Sequence, residues 1–203
     1  MGLKTNNFRK NLLDYFKTKK KKLLIQSVSE ISEMYLSKKI NSIVFFNYSP
    51  QLLDFIYWCQ QLVAESLGKK GKGLLPIVSI GPKDHHSLLQ LYLDGPRDKM
   101  FYVLSSKNLY NFKVHGSYLD KKLKFLKNKK LNKIVLAQKE AFVKTLKRKN
   151  IPFREIHVNN FSEESIGELF SYFMIETAMI ANLISVNPFN QPAVEEVKSL
   201  TKK

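Results

Sequence analysis

The chain has 203 residues and a formal net charge of +17, with 44% apolar and 25% charged side chains; this is globular composition, enough for one domain or two small ones with a core that needs no staples. A single cysteine, Cys59, excludes an internal disulfide framework and a cysteine-based zinc site. No apolar run approaches the ~20 residues of a membrane span, and the opening MGLKTNNFRK lacks the apolar stretch of a signal peptide, so a cytoplasmic protein without a membrane partner is expected.

Residues 8–17 and 22–37 place apolar side chains at helical spacing, with Lys19 to Lys22 as a linker. The run 42–46 is short, apolar and rich in β-branched and aromatic residues, and predicts a buried strand. Pro50 opens a buried helix over 51–66, apolar nearly all round, which ends at Gly68 before the loop KKGKG. A second strand spans 74–80, broken by Gly81-Pro82. A short helix follows over 85–93, with Asp84 as its cap. A third strand covers 100–104. The lysine-rich stretch 107–130 predicts a loop with one helix around 119–126, and 131–149 an amphipathic helix. A fourth strand spans 153–158, and Ser162 starts the longest helix, 163–184. Pro192 suits the first position of a last helix, 192–201. Strands alternating with helices predict an α/β fold with a mainly parallel sheet, which binds ligands at the carboxyl ends of its strands.

The charge suggests a nucleic-acid partner, but its composition and distribution argue against one. Lysine supplies 30 of the 34 basic residues, and only Arg9, Arg97, Arg148 and Arg154 offer the bidentate fork that reads phosphates and base edges. The excess sits in two tracts, net +7 over 1–40 and +12 over 107–150, whereas 41–106 carries +1 and 151–203 carries −3. Solvated lysine faces account for such tracts, so no nucleic acid is expected.

Three motifs carry candidate chemistry. Glu65 ends an otherwise apolar helix; it is either a carboxylate raised by burial into the range of a general base or a helix-end residue in water beside Lys69 and Lys70. His85 and His86 follow a strand end. Adjacent side chains point apart and make a poor chelate, so zinc is not expected, and they read either as one acid–base histidine or as polar helix-start residues. Asn187 to Lys198 forms a stiff loop leading into a helix, with Asn190 and Gln191 at the helix start and Lys198 two turns on.

Together these motifs resemble the carboxyl-terminal part of the glucose-6-phosphate isomerase family. The matching residues are Q-L-V-A-E-S-L-G-K over 61–69 with Gly71 to Gly73, D-H-H-S-L-L-Q-L-Y-L-D-G-P over 84–96, and N-P-F-N-Q-P-A-V-E-E-V-K over 187–198. The order and spacing hold over about residues 40–200. Asn190 replaces the family's Asp, Ala193 its Gly and His85 its usual Gln, and none of these changes removes a catalytic side chain.

The resemblance implies a three-layer sugar-isomerase (SIS)-like sandwich at 41–203, with 1–40 as an amino-terminal helical segment. It implies interconversion of glucose 6-phosphate and fructose 6-phosphate through an enediol, with no metal and no nucleotide cofactor. Glu65 falls on the isomerising base, His86 on the ring-opening histidine, Lys198 on the lysine of the second signature and Gln191 on a residue near the sugar phosphate. It also implies a homodimer with a shared active site: Glu65 and Lys198 approach one cleft within a chain, and His86 serves the neighbouring subunit from an apolar surface. Glu65 is then expected to be substantially buried, with Lys70 and Lys72 exposed. The family has two sugar-isomerase subdomains, and this chain corresponds to the second. The first supplies phosphate contacts and an arginine, so weak or absent activity is expected of this chain alone, as a truncated, fragmentary or split enzyme. The alternatives are a non-catalytic sugar-phosphate-binding module and, from the charge, a nucleic-acid binder.

Overall fold

The computed structural model describes residues 2, 4–10, 16, 19–107, 112–116 and 119–202. The chain divides into two compact units, one of residues 1–43, 57–76 and 161–203, the other of 44–56 and 77–160. In chain order the described elements are α1 (Thr5–Arg9), α2 (Lys19–Leu36), β1 (Ser42–Asn47), a 3-10 turn (Pro50–Leu52), α3 (Leu53–Leu67), β2 (Leu75–Ile80), α4 (Lys83–Ser87), α5 (Leu89–Asp94), β3 (Lys99–Ser106), a second 3-10 stretch (Lys121–Leu126), α6 (Leu131–Arg148), β4 (Phe153–Val158), α7 (Glu163–Leu183) and α8 (Pro192–Thr201). This is the expected α/β fold, a four-stranded parallel sheet flanked by helices.

The strand order is β2-β1-β3-β4, and β3 and β4 run in register from Phe101 opposite Phe153 to Ser106 opposite Val158. β1 is buried along its whole length and β3 nearly so, as central parallel strands covered on both faces must be. The edge strands β2 and β4 are more open, with only Pro76 and Ser79 buried in β2 and only Val158 in β4. In the second unit, Val44, Phe46 and Tyr48 share one face with Phe101 and Val103, where they meet Tyr92 of α5 and Phe142, Val143 and Leu146 of α6. The Phe46 and Phe142 ring centroids are 4.6 Å apart. Burying side chains of this size stabilises by roughly 1.5–3 kcal/mol each. The strand order reverses between β1 and β3. At their carboxyl ends Asn47 fixes Ser49 through its N–H and carbonyl, and the Ser49 and Ser106 hydroxyls lie 2.7 Å apart.

In the first unit, α7 packs on α1 and α2. The Ser162 side chain caps α7 by accepting from the Ser165 N–H, and Trp58 meets Phe170 edge-on at 4.4 Å. Buried Glu176 accepts hydrogen bonds from Ser27 of α2 and from Tyr172.

Three elements differ from expectation. The proposed linker Lys19 to Lys22 is the first turn of α2: lysine is a good helix former, and Lys20 pairs with Glu168 at 2.7 Å. The helix expected over 85–93 is two helices broken at Leu88, beginning at Lys83. Asp84 lies inside α4 rather than capping it; Pro82 holds the cap position, and the buried Asp84 carboxylate accepts the Ile80 N–H instead. Of the helix expected over 8–17, residues 11–15 and 17 lie outside the described residues.

Candidate active site

Glu65 stands in the last turn of α3, and the sequence after it forces the chain to fold back on that turn. A Cβ at Gly68 would lie 2.6 Å from the Ala64 carbonyl oxygen. Lys70 and Gly71 take positive φ, closing a turn in which Lys69 and Lys72 exchange backbone hydrogen bonds. Gly73, at φ +127°, sits where a Cβ would meet the Leu67 carbonyl at 2.8 Å; only glycine holds that conformation at no cost. The Gly73 N–H donates to the Tyr35 hydroxyl of α2.

This turn aims two ammonium groups at the chain leaving α7. Lys69 Nζ donates to the carbonyls of Ser66 at 3.1 Å and Asn187 at 2.6 Å. Lys72 Nζ donates to the Ile184 carbonyl at 2.9 Å. The Ser66 and Ile184 acceptors belong to the ends of α3 and α7, where a helix leaves carbonyls unpaired and cations are favoured; the Asn187 carbonyl lies in the loop beyond α7. Burial lowers the Lys69 ammonium below its ordinary value, and the charge of Glu65 opposes that shift. Beyond the clamp, Asn187 Oδ1 accepts the Phe189 N–H, and Pro192 opens α8 with Gln191 at its cap position.

Gln191 then reaches Glu65. Its Nε2 donates to Glu65 Oε2 at 2.7 Å, across 126 positions of sequence. Gln61, one turn earlier on α3, donates to Oε1 at 3.0 Å. Both carboxylate oxygens are thus aimed by neutral amides, which fix the orientation of the group.

The structure corrects the burial expected of Glu65. It is partly open to solvent, because its two amide partners cover only part of a helix end. Lys70 and Lys72 are exposed as expected. Lys198 pairs with Glu195 of its own helix at 2.8 Å, both side chains being well exposed.

His86 lies in the second unit, on α4 after β2, and is exposed. Its neighbour His85 turns inward against Phe46, Tyr48 and Phe142 and shares a hydrogen bond with the Tyr48 hydroxyl. Burial holds the His85 imidazole below its ordinary value and the Tyr48 phenol above its own. His85 and Asp84 anchor α4, leaving His86 free to face outward. Of the apolar residues that follow, Leu91 is exposed, Tyr92 is buried, and Leu88, Leu89 and Leu93 pack partly on the core. The Tyr48–His85 pair was not foreseen from sequence. His86 follows the end of a strand, whereas Glu65, Gln191 and Lys198 stand on helix ends and on α8. Among the described residues no group of three or more His, Cys, Asp and Glu is placed to hold a metal, and no helix is long and apolar enough to cross a membrane.

The parallel sheet flanked by helices defines an α/β protein. No family model matches the chain. By sequence it is a relative of the glucose-6-phosphate isomerases, and its match is consistent with their carboxyl-terminal part. It is 37% identical over 204 residues to the protein of that name from Mycoplasmopsis synoviae (strain 53), covering 93% of this chain and 47% of the relative. It is 33% identical to that of Methanocaldococcus jannaschii, covering 77% of the chain and 39% of the relative. For that of Campylobacter jejuni the identity is 32%, covering 93% and 47%. The chain thus spans less than half the length of these curated relatives. Among solved structures, a hypothetical protein from Thermus thermophilus superposes with a TM-score of 0.82 at 27% identity, over 97% of this chain and 48% of its own. A glucose-6-phosphate isomerase from Chlamydia trachomatis gives 0.65 at 18% identity, over 80% and 34%, a likeness of fold alone.

Proposed function

We propose that this chain supplies the base-bearing half of a glucose-6-phosphate isomerase, an enzyme of glycolysis and gluconeogenesis acting in the cytoplasm as a homodimer. The observation that carries the reading is the 2.7 Å hydrogen bond from Gln191 to Glu65, which joins two separate motifs at one carboxylate. In the proposed reaction His86, from the neighbouring subunit, and Lys198 move protons at the ring oxygen and the C1 hydroxyl and open the sugar. Glu65 then takes the C2 proton of the open-chain aldose, leaving a cis-enediolate with its charge on O1; the C2 hydroxyl proton passes to that oxygen, and Glu65 returns its own proton to C1 as the C2 carbonyl forms. Both carbons present one face, so one carboxylate serves both transfers, and no redox change occurs. Gln191 aims the carboxylate and lies near the substrate. Proton transfer by a positioned side chain contributes about 10²–10⁴ in rate.

Binding of the phosphate and the steadying of the enediolate fall to the part of the enzyme that this chain does not match. Coupled turnover of fructose 6-phosphate is therefore measured on the chain alone and on a chimera with the unmatched part of the Mycoplasmopsis relative fused ahead of it. The chain alone is expected to turn over weakly or not at all, and the chimera to lose at least about 100-fold on Glu65→Gln. A chimera whose activity is unchanged by Glu65→Gln refutes the assignment. A chimera that binds the sugar phosphate without turnover favours the binding-module reading.

A further inference from the structure

The last helix presents an apolar stripe that the described residues leave exposed. No residue of α8 is buried. Val194, Val197 and Leu200 recur at the three-residue spacing that puts side chains on one helix face, and they are 41%, 64% and 62% exposed. Phe189, just ahead of the helix, is 88% exposed. A ten-residue helix is marginal in water by itself and owes its stability to packing of its apolar face. α8 is tied to its unit at the amino end, where Gln191 holds Glu65, and its stripe points elsewhere. Scattered single apolar residues need no partner, but a stripe along one helix does.

The relatives supply a candidate occupant. The match takes in 93% of this chain but only 47% of the Mycoplasmopsis protein, so more than half of that protein lies outside it. We propose that the Val194–Val197–Leu200 face of α8, with Phe189 at its edge, is the docking surface for this unmatched half of the isomerase. The inference rests on the function proposed above and adds the surface through which the two halves join. Lys198 stands one turn beyond Val194, at the border of the stripe, where a seated partner shields it from bulk water. The same contact closes one side of the approach to Glu65, to which α8 is joined through Gln191.

The test uses the full chain and the chimera described above. Amide exchange of α8 is followed by mass spectrometry in both, with and without Val197→Lys and Leu200→Lys together. Both side chains are exposed in this chain, so the double variant of the chain alone keeps its unfolding midpoint. Exchange in α8 is expected to slow at least ten-fold in the chimera and to return to the rate of the chain alone in the double variant. Exchange as fast in the chimera as in the chain alone overturns the proposal, as does slowing that survives the double variant. A chain that by itself forms dimers with α8 protected also overturns it, since a second copy is then the occupant. Turnover is read separately: slowed exchange without turnover keeps the docking surface and removes the catalytic reading, while turnover with unprotected α8 does the reverse. Should the chimera be insoluble, lysines are placed in the Mycoplasmopsis protein at the positions aligned with Val197 and Leu200, and the same slowing and its loss are read there.

Discussion

The end of α3 in the first unit and α4 in the second carry the candidate acid–base groups, and they are built in opposite ways. Glu65 is held by polar contacts: two amides on its oxygens, and a clamp of two lysines on the carbonyls of Ile184 and Asn187 that sets the loop carrying Gln191. Among the described residues His86 has no such contacts; its position derives from the residues before it, where Asp84 fixes the helix start and His85 is wedged among aromatic rings. The first arrangement fixes the side chain itself. The second fixes only the helix and leaves the side chain exposed.

The largest effect expected from breaking this contrast is on turnover. In the chimera, His86→Ala and Glu65→Gln each lower activity at least about 100-fold. If His86 serves the partner's site, mixing the two inactive proteins restores one site in each mixed dimer. Mixtures that exchange subunits yet stay inactive refute the shared site and leave Glu65 untouched. Next in size is Gly73→Ala, which forces a side chain into φ +127° and against the Leu67 carbonyl; it costs about 1–3 kcal/mol in urea unfolding. A smaller effect follows Lys69→Met. It removes an exposed charge-assisted hydrogen bond to the Asn187 carbonyl, worth about 1 kcal/mol at most, and speeds amide exchange over 184–191 by roughly five-fold. Equal exchange in the two proteins dismisses the clamp.

The smallest effect concerns His85. Burial lowers its folded value below the ordinary 6.5, so as pH falls the unfolded chain takes up the proton first. The stability tied to neutral His85 is fully present above pH 6.5 and is lost as pH falls through the lower folded value. His85→Gln, which installs the residue usual in the family, flattens unfolding midpoints between pH 7.5 and 5.5. An unchanged slope refutes the role given to burial.

The sheet was legible in the sequence because β1 and β3 are near-continuous apolar runs between turn residues, a pattern that a strand covered on both faces imposes. The start of α7 at Ser162 and of α8 at Pro192 were legible for equally local reasons, a hydroxyl cap and a ring that fixes φ. Glu65, Gln191, Lys198 and His86 stood out only as members of ordered motifs; alone, each had a bland reading of comparable weight. The lysine clamp was not legible, because its acceptors are backbone carbonyls, which every residue carries. The break at Leu88 and the partial exposure of Glu65 were missed for a related reason: both depend on tertiary neighbours, not on the local run of residues.

The account stands most directly on Glu65 carrying a proton between two carbons of one substrate. Glucose 6-phosphate deuterated at C2 is given to the chimera, and both the rate and the label in fructose 6-phosphate are followed. Part of the deuterium is expected at C1 and the remainder in water, since an open carboxylate exchanges with solvent between the two transfers, and Glu65→Gln should abolish both transfer and turnover. Turnover and label transfer that persist unchanged in Glu65→Gln would contradict the account.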